Sequence, residues 1–348
     1  MVKIRLAANT DQKKWDDFVI SQESSGPYHL FAWKESVEKA YHHRAHYLIA
    51  ENDEGDIQGV LPLVLVKPPF IKGSLISQPF CDYGGVVSSD TVVSEKLLDY
   101  AMNHARELGS SLEIRCKEQN PVLDASPTLG STSFKSRMLL ALPESSDILW
   151  NSFKSKLRSQ IRKPLKEGLQ FKIGSSEKID EFYTIFCKNM RSLGSPVHSR
   201  NWITSVIDVY DKEARIGVVY SNHKPIAAGI IICFRDIVSI PWASTLREYN
   251  SNSPNMLLYW GFLEYVSNNG FKIFDFGRST PDEGTYKFKE QWGAKPSPLY
   301  WYIEGLKDQD QPVFSTGEGR KIAENAWSKL PLSVVNIAGP IIRKYIPL

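Results

Sequence analysis

Hydrophobic positions recur along the chain with two periods, and the order in which helix and strand periods alternate occurs twice. Residues 3–6 alternate as a strand. Residues 11–21 then read as a helix capped by Thr10 or Asp11. Trp33, Val37 and Tyr41 fall at i, i+4, i+8 and give one apolar face to a helix over 29–41. Residues 47–51 and 57–66 read as a hairpin around Asp53-Glu54-Gly55-Asp56, and residues 74–79 as a further strand. The turn Cys81-Asp82-Tyr83-Gly84-Gly85, a helix over 91–108 and a strand over 111–116 close the first series. The second series runs as a helix over 198–210, strands over 215–220, 227–234 and 237–243, a polar loop over 245–255, a helix over 256–268 and a strand over 271–276.

His29, Trp33, Ser36, Val37 and Tyr41 reappear as His198, Trp202, Ser205, Val206 and Tyr210, at a constant offset of 169 positions (198 − 29 and 210 − 41). Two copies of one α/β (α+β) unit, about 130–170 residues each, account for both the order and the offset. A chain of 348 residues suits two cores. The expected division is a first domain over 1–150, a second over 151–326 and an apolar, basic tail over 327–348. A Rossmann domain is excluded, because no strand leads into a G-x-G-x-x-G helix start.

Composition changes this picture little. With 42% hydrophobic and 23% charged residues and a net charge of +3, the chain has ordinary globular composition, and any polyanion contact must come from a local cluster. One such cluster is residues 153–166, FKSKLRSQIRKPLK. Lys154, Lys156, Arg158, Arg162, Lys163 and Lys166 precede the first acid, Glu167, over an apolar stripe of Phe153, Leu157 and Ile161. It reads as a basic amphipathic helix, either a solvated connector or a contact for polyphosphate or RNA. Cys81, Cys116, Cys187 and Cys233 lack metal or disulfide spacing and are expected as small buried hydrophobes; no metal is implied. No run nears the ~18 apolar residues of a span and no leader is evident, so a cytoplasmic protein is expected. The tail, with Pro340, Arg343 and Lys344, is expected to pack on the body or to touch the inner face of a membrane.

The densest chemistry is FDFGRSTPDEGTYKFKEQWG, residues 274–293. Asp275, Asp282, Glu283, Arg278, Lys287, Lys289 and Tyr286 converge just past a strand end, where α/β folds place their sites, although a solvated charged loop has the same composition. The pattern FDFGRS…G-x-Y-x-F-K-x-x-W-G resembles the C-terminal signature of the FemAB family. The resemblance extends to Phe31-Ala32-Trp33, Gly59-Val60-Leu61-Pro62-Leu63, residues 80–85 and Ile161-Arg162-Lys163, and is nearest to the group associated with exosortase/PEP-CTERM exopolysaccharide systems. It implies two tandem GNAT-like domains, each a mixed, largely antiparallel sheet flanked by helices. It further implies transfer of an aminoacyl or acyl group to an amine of a cell-envelope or exopolysaccharide precursor, in one cleft supplied mainly by the second domain.

Amide formation requires deprotonation of the amine, stabilisation of a tetrahedral oxyanion and protonation of the leaving oxygen. The resemblance casts Lys289 as the oxyanion stabiliser, with Phe288 shaping the pocket beside it. Asp275 either orients or deprotonates the amine or is a structural carboxylate. Arg278 and Tyr286 are candidates for substrate phosphate or carboxylate. Asp82 and Tyr83 are the first-domain candidates for holding a nucleotide- or lipid-linked precursor. A coenzyme A pyrophosphate would need a glycine turn before the helix over 256–268; residues 245–255, TLREYNSNSPN, offer Arg247 but no glycine. The family's usual donor, aminoacyl-tRNA, is therefore expected, with Arg158, Arg162 and Lys163 contacting it; acyl-coenzyme A transfer and a non-catalytic binding protein are the alternatives. His29 and His198, at duplicated positions before a helix, are expected to cap or pack rather than catalyse.

Overall fold

The computed structural model describes residues 2–88, 90–133, 135–304 and 318–347. They form two compact units, the described residues of 2–135 with 298–304 and 345–347, and residues 136–297 with 318–344.

The first unit opens with β1 (Lys3–Leu6), α1 (Gln12–Ser21) and α2 (Phe31–Tyr41). The strands β2 (Arg44–Ala45), β3 (Leu48–Glu51), β4 (Ile57–Leu61), β5 (Val64–Val66), β6 (Ser74–Ile76) and β7 (Val87–Ser88) follow, and then α3 (Thr91–Glu107), β8 (Ser111–Cys116), α4 (Pro121–Asp124) and β9 (Leu129–Thr132). Two sheets result, one ordered β1-β3-β4-β7. The strand expected over 57–66 breaks at Pro62, which has no N–H for a ladder, so β4 and β5 join different sheets.

The second unit comprises β10 (Ser136–Ala141), α5 (Ser146–Ser152), α6 (Ser155–Lys166), β11 (Gln170–Gly174), α7 (Ile179–Ser192), α8 (Arg200–Tyr210), β12 (Ala214–Ser221), β13 (Lys224–Phe234), β14 (Ile237–Thr245), α9 (Pro254–Asn268), β15 (Ile273–Ser279), α10 (Gly284–Glu290) and β16 (Lys295–Pro298). The chain then supplies β17 (Tyr300–Glu304) to the first unit's larger sheet, ordered β2-β5-β6-β8-β17-β9. α11 (Glu318–Lys329) and α12 (Leu332–Arg343) return to the second unit. The contiguous boundaries expected at 150 and 326 are thus corrected. β10 and α5 leave the first domain, because the apolar face of β10 (Met138, Leu140) pairs along β15, and β17 moves the opposite way. An apolar strand period specifies a partner strand without naming it.

The duplicated helices match at both ends, since α2 and α8 each span eleven residues at the 169 offset. The preceding residues share one backbone geometry, φ −65° and ψ 151° at Leu30 against φ −66° and ψ 153° at Ser199. Trp33 and Trp202 are fully buried.

The second unit's sheet is ordered β11-β12-β13-β14-β15-β10-β16. β11 to β14 form an antiparallel meander, and α9 carries the chain over to place β15 parallel to β14. α9 covers one face with α5 and α6 packed on it, and α7 and α8 cover the other. Gly261 permits the close approach of α9: a Cβ there would lie 2.4 Å from the Phe171 ring. α12 packs on α7 and buries Val335 and Gly339, the latter against Val197, leaving Val334, Ile337, Ile341 and Ile342 exposed. All four cysteines are free thiols and buried. Among the described residues no helix is long and apolar enough to cross a membrane.

Candidate active site in the second unit

β14 and β15 pair only over Ile237–Ser239 and Ile273–Asp275. Both strands run on, to Thr245 and Ser279, without pairing to each other again, and β15 keeps its ladder with β10 instead. Asp275 and Ser239 therefore mark the point where two parallel strands separate, the place at which open α/β sheets bind ligands. The side chains alternate. Phe274 and Phe276 join the core under α9, and Asp275 projects from the opposite face.

Asp275 is 2% exposed. Its Oδ1 accepts the Gly277 amide at 2.8 Å and its Oδ2 accepts the Arg137 guanidinium at 3.2 Å. Beyond it Gly277 adopts φ +72°, a turn of the strand that other residues rarely make. The Lys289 ammonium, on α10, donates to the Gly277 carbonyl at 3.0 Å and the Arg278 carbonyl at 2.8 Å. A buried cation is thereby fixed at the open end of β15. Ser239 Oγ, opposite Asp275 in the last rung, is buried with no hydrogen-bond partner among the described residues.

Asp275, Arg278 and Lys289 thus come together, the last two through the Arg278 carbonyl. Phe288 turns toward the core, edge-on to Tyr259 at 5.1 Å, and Tyr286 packs at the same core's margin. α6 is helical as its period predicts, with Leu157 and Ile161 buried, Arg162 and Lys163 exposed and Arg158 half-buried. Arg162 lies over the Trp150 ring at 5.2 Å. Exposed Arg247 begins a 3-10 turn, Arg247–Asn252, that fills the slot before α9. Lys163 donates to the Ser251 carbonyl and Asn252 to Glu167, so this turn and the basic helix are tied together. Ser253 at φ +56° and Pro254 complete the start of α9, with no glycine cradle.

Between α5, α6 and the end of the signature lies a cavity of about 750 Å³, walled by Leu142, Phe153, Leu157 and Trp292 with Lys154 and Lys156 among its lining residues. Asp82 and Tyr83 lie in the first unit. The Asp82 carbonyl accepts the Trp301 indole at 3.0 Å, and the buried Tyr83 ring packs on Gly26, Tyr28 and His29.

Three of the thiols, Cys116, Cys187 and Cys233, are not poised as nucleophiles. Burial raises Cys187 to about 11, and Cys116 and Cys233 to about 12. His29 is held down to about 4 by burial first and then by Lys117; its Nδ1 accepts the Gly26 amide and its Nε2 meets the Gly85 carbonyl. His198, lowered by burial and Arg343, stacks on Trp202. Both imidazoles are buried and pack on aromatic rings, His29 against Tyr83 and His198 against Trp202 and Trp242. Sequence reading missed Arg137 and Ser239. The signal for Arg137 was a lone cation inside the apolar strand S-R-M-L-L-A, which demands a buried counter-charge.

The class defined by the meander, the parallel crossover and the separating strands is a tandem GNAT fold. Residues 151–290 match the family model described as an acetyltransferase (GNAT) domain. The structure is similar to the crystal structure of FemX (TM-score 0.69, 16% identity, covering 88% of this chain and 98% of that one). It is also similar to L-PGS from Bacillus licheniformis (0.59, 11%, 92% and 98%). A third similar structure is a tandem GNAT protein from the clavulanic acid biosynthesis pathway (0.56, 11%, 88% and 100%). No curated protein matches the chain in sequence.

Proposed function

We propose that the protein is a FemAB-like acyltransferase that forms an amide bond, moving an aminoacyl group from aminoacyl-tRNA to an amine of a nucleotide- or lipid-linked envelope or exopolysaccharide precursor. The observation that carries this reading is the Lys289 ammonium, buried and fixed by two carbonyls where β14 and β15 part. A cation held there needs no reorganisation when the tetrahedral oxyanion forms, the condition under which electrostatic stabilisation is large. Asp275, engaged by Arg137 and the Gly277 amide, acts here as a positioning residue that shapes the end of β15. Arg278 and Tyr286 contact an anionic part of the substrate, and Phe288 backs the pocket.

The choice of donor rests on two features. The slot before α9 carries a 3-10 turn pinned to α6 in place of a glycine cradle, and α6 presents exposed cations without a neighbouring acid until Glu167. Acyl-coenzyme A is the second reading, favoured by the separation of β14 and β15 and by the likeness to a tandem GNAT protein whose name mentions AcCoA. The apolar outer face of α12, ending in Arg343 and Lys344, would set the enzyme against a membrane surface.

Calorimetric titration with acetyl-coenzyme A and with charged bulk tRNA separates the donors. Salt-sensitive binding of tRNA alone supports the reading, and saturable binding of coenzyme A alone replaces the donor. Binding of neither leaves a different donor or a non-catalytic scaffold, and turnover undiminished in Lys289→Ala removes Lys289 from the catalytic role.

A further inference from the structure

The loop joining β5 and β6 reads Lys67-Pro68-Pro69-Phe70-Ile71-Lys72. Phe70 is completely exposed, at 109% of its reference surface, and Ile71 is 64% exposed, the first and fourth most exposed of the large hydrophobics among the described residues. The loop is a built tip. It closes an antiparallel hairpin paired from Val64–Ile76 to Val66–Ser74, two prolines stiffen its approach, and the Ile71 amide bonds back to the Pro68 carbonyl. Phe70 sits at φ +64°, a conformation aromatic residues rarely adopt, with its side chain wholly in solvent.

Exposed Lys67 and Lys72 flank the pair, and no Asp or Glu occurs from residue 57 to residue 81. We propose that this tip is a membrane anchor, with Phe70 and Ile71 entering the interfacial layer of a bilayer and Lys67 and Lys72 meeting anionic lipid headgroups. Two apolar side chains are too small a surface for a specific protein interface, which takes about 800 Å² per partner. They suit shallow insertion, which needs no complementary pocket and gains from flanking cations at a negative surface. The anchor is independent of the acyl donor, of Lys289 and of α12.

The test is flotation of the full chain with vesicles of phosphatidylcholine alone and of equal parts phosphatidylcholine and phosphatidylglycerol. The expected result is binding to the anionic vesicles, lowered at least tenfold by the double variant Phe70→Ser, Ile71→Ser, whose melting temperature stays that of the parent because neither side chain is buried. Lys67→Gln with Lys72→Gln should reduce the preference for phosphatidylglycerol and its sensitivity to salt. Phe70→Cys gives a direct readout, since the four native thiols are at most 7% exposed and an environment-sensitive dye will attach at position 70. Its emission should shift to the blue when anionic vesicles are added. An unshifted dye, undiminished binding by the double serine variant, or no vesicle binding at all overturns the proposal. Binding abolished only in Ile337→Ser with Ile341→Ser, with the dye unshifted, assigns the membrane surface to α12 and also overturns it.

Discussion

Arg137 and Asp275, 138 residues apart in the chain, form an ion pair at 3.2 Å in which neither residue is more than 7% exposed. The pair ties β10 to β15 where β14 parts from β15.

Removing one partner strands a buried charge, which costs about 3–5 kcal/mol. Arg137→Met and Asp275→Leu should each destabilise the second unit by that order in urea unfolding. The double variant should recover much of the loss, because two apolar side chains leave no charge to solvate. Single losses below about 1 kcal/mol would mean that water reaches the pair and the strand end is open there.

Lys289 makes a separate prediction. If its ammonium stabilises the oxyanion, Lys289→Met should lower kcat by about 10²–10³-fold, the cost of one oxyanion donor, while donor affinity stays unchanged. A purely structural lysine, tying α10 to the Gly277 and Arg278 carbonyls, would instead lower the melting temperature and leave the kcat of the folded fraction alone.

Much of this is legible in the sequence. The duplicated helices were visible because a Trp, a Val and a Tyr at helical spacing must face a core in both copies, and both copies bury the Trp completely. The strand that opens the signature was visible from the alternation of its apolar positions. What escaped is long-range pairing. Nothing in residues 136–141 says that their partner is β15, and nothing in residues 300–304 says that they return to the other unit, because one apolar strand period fits many neighbours. The position of Tyr286, Phe288 and Lys289 on a helix was hidden as well, because the short run 284–290 sits among turn residues. Arg137 escaped with its strand, and with it the reason for the burial of Asp275.

The basic helix carries its own test. Arg162 and Lys166 are exposed, and Lys163 already commits a hydrogen bond to the Ser251 carbonyl. Arg162→Gln with Lys166→Gln should therefore leave folding unchanged. It should weaken tRNA binding for every sequence alike and reduce the slope of log affinity against log salt by about 1–2, one for each phosphate no longer neutralised. Unchanged tRNA affinity would return α6 to the status of a connector.

His29 sets a dependence of stability on pH. Burial and Lys117 hold it at about 4, against 6.5 unperturbed, so it stays neutral in the fold while the unfolded chain takes up a proton below about 6.5. Its contribution is complete above pH 6.5 and is lost as the pH falls from there toward 4. A separation of that size is worth about 3 kcal/mol by linkage. His198, lowered by burial and Arg343, acts in the same direction. Urea midpoints should therefore fall between pH 7 and pH 5, and His29→Gln, which leaves nothing to titrate at that position, should flatten the decline even though it lowers the midpoint at pH 7. An equally steep decline in the variant would show that His29 already carries its proton in the folded chain, and its Nδ1 would then be unable to accept the Gly26 amide.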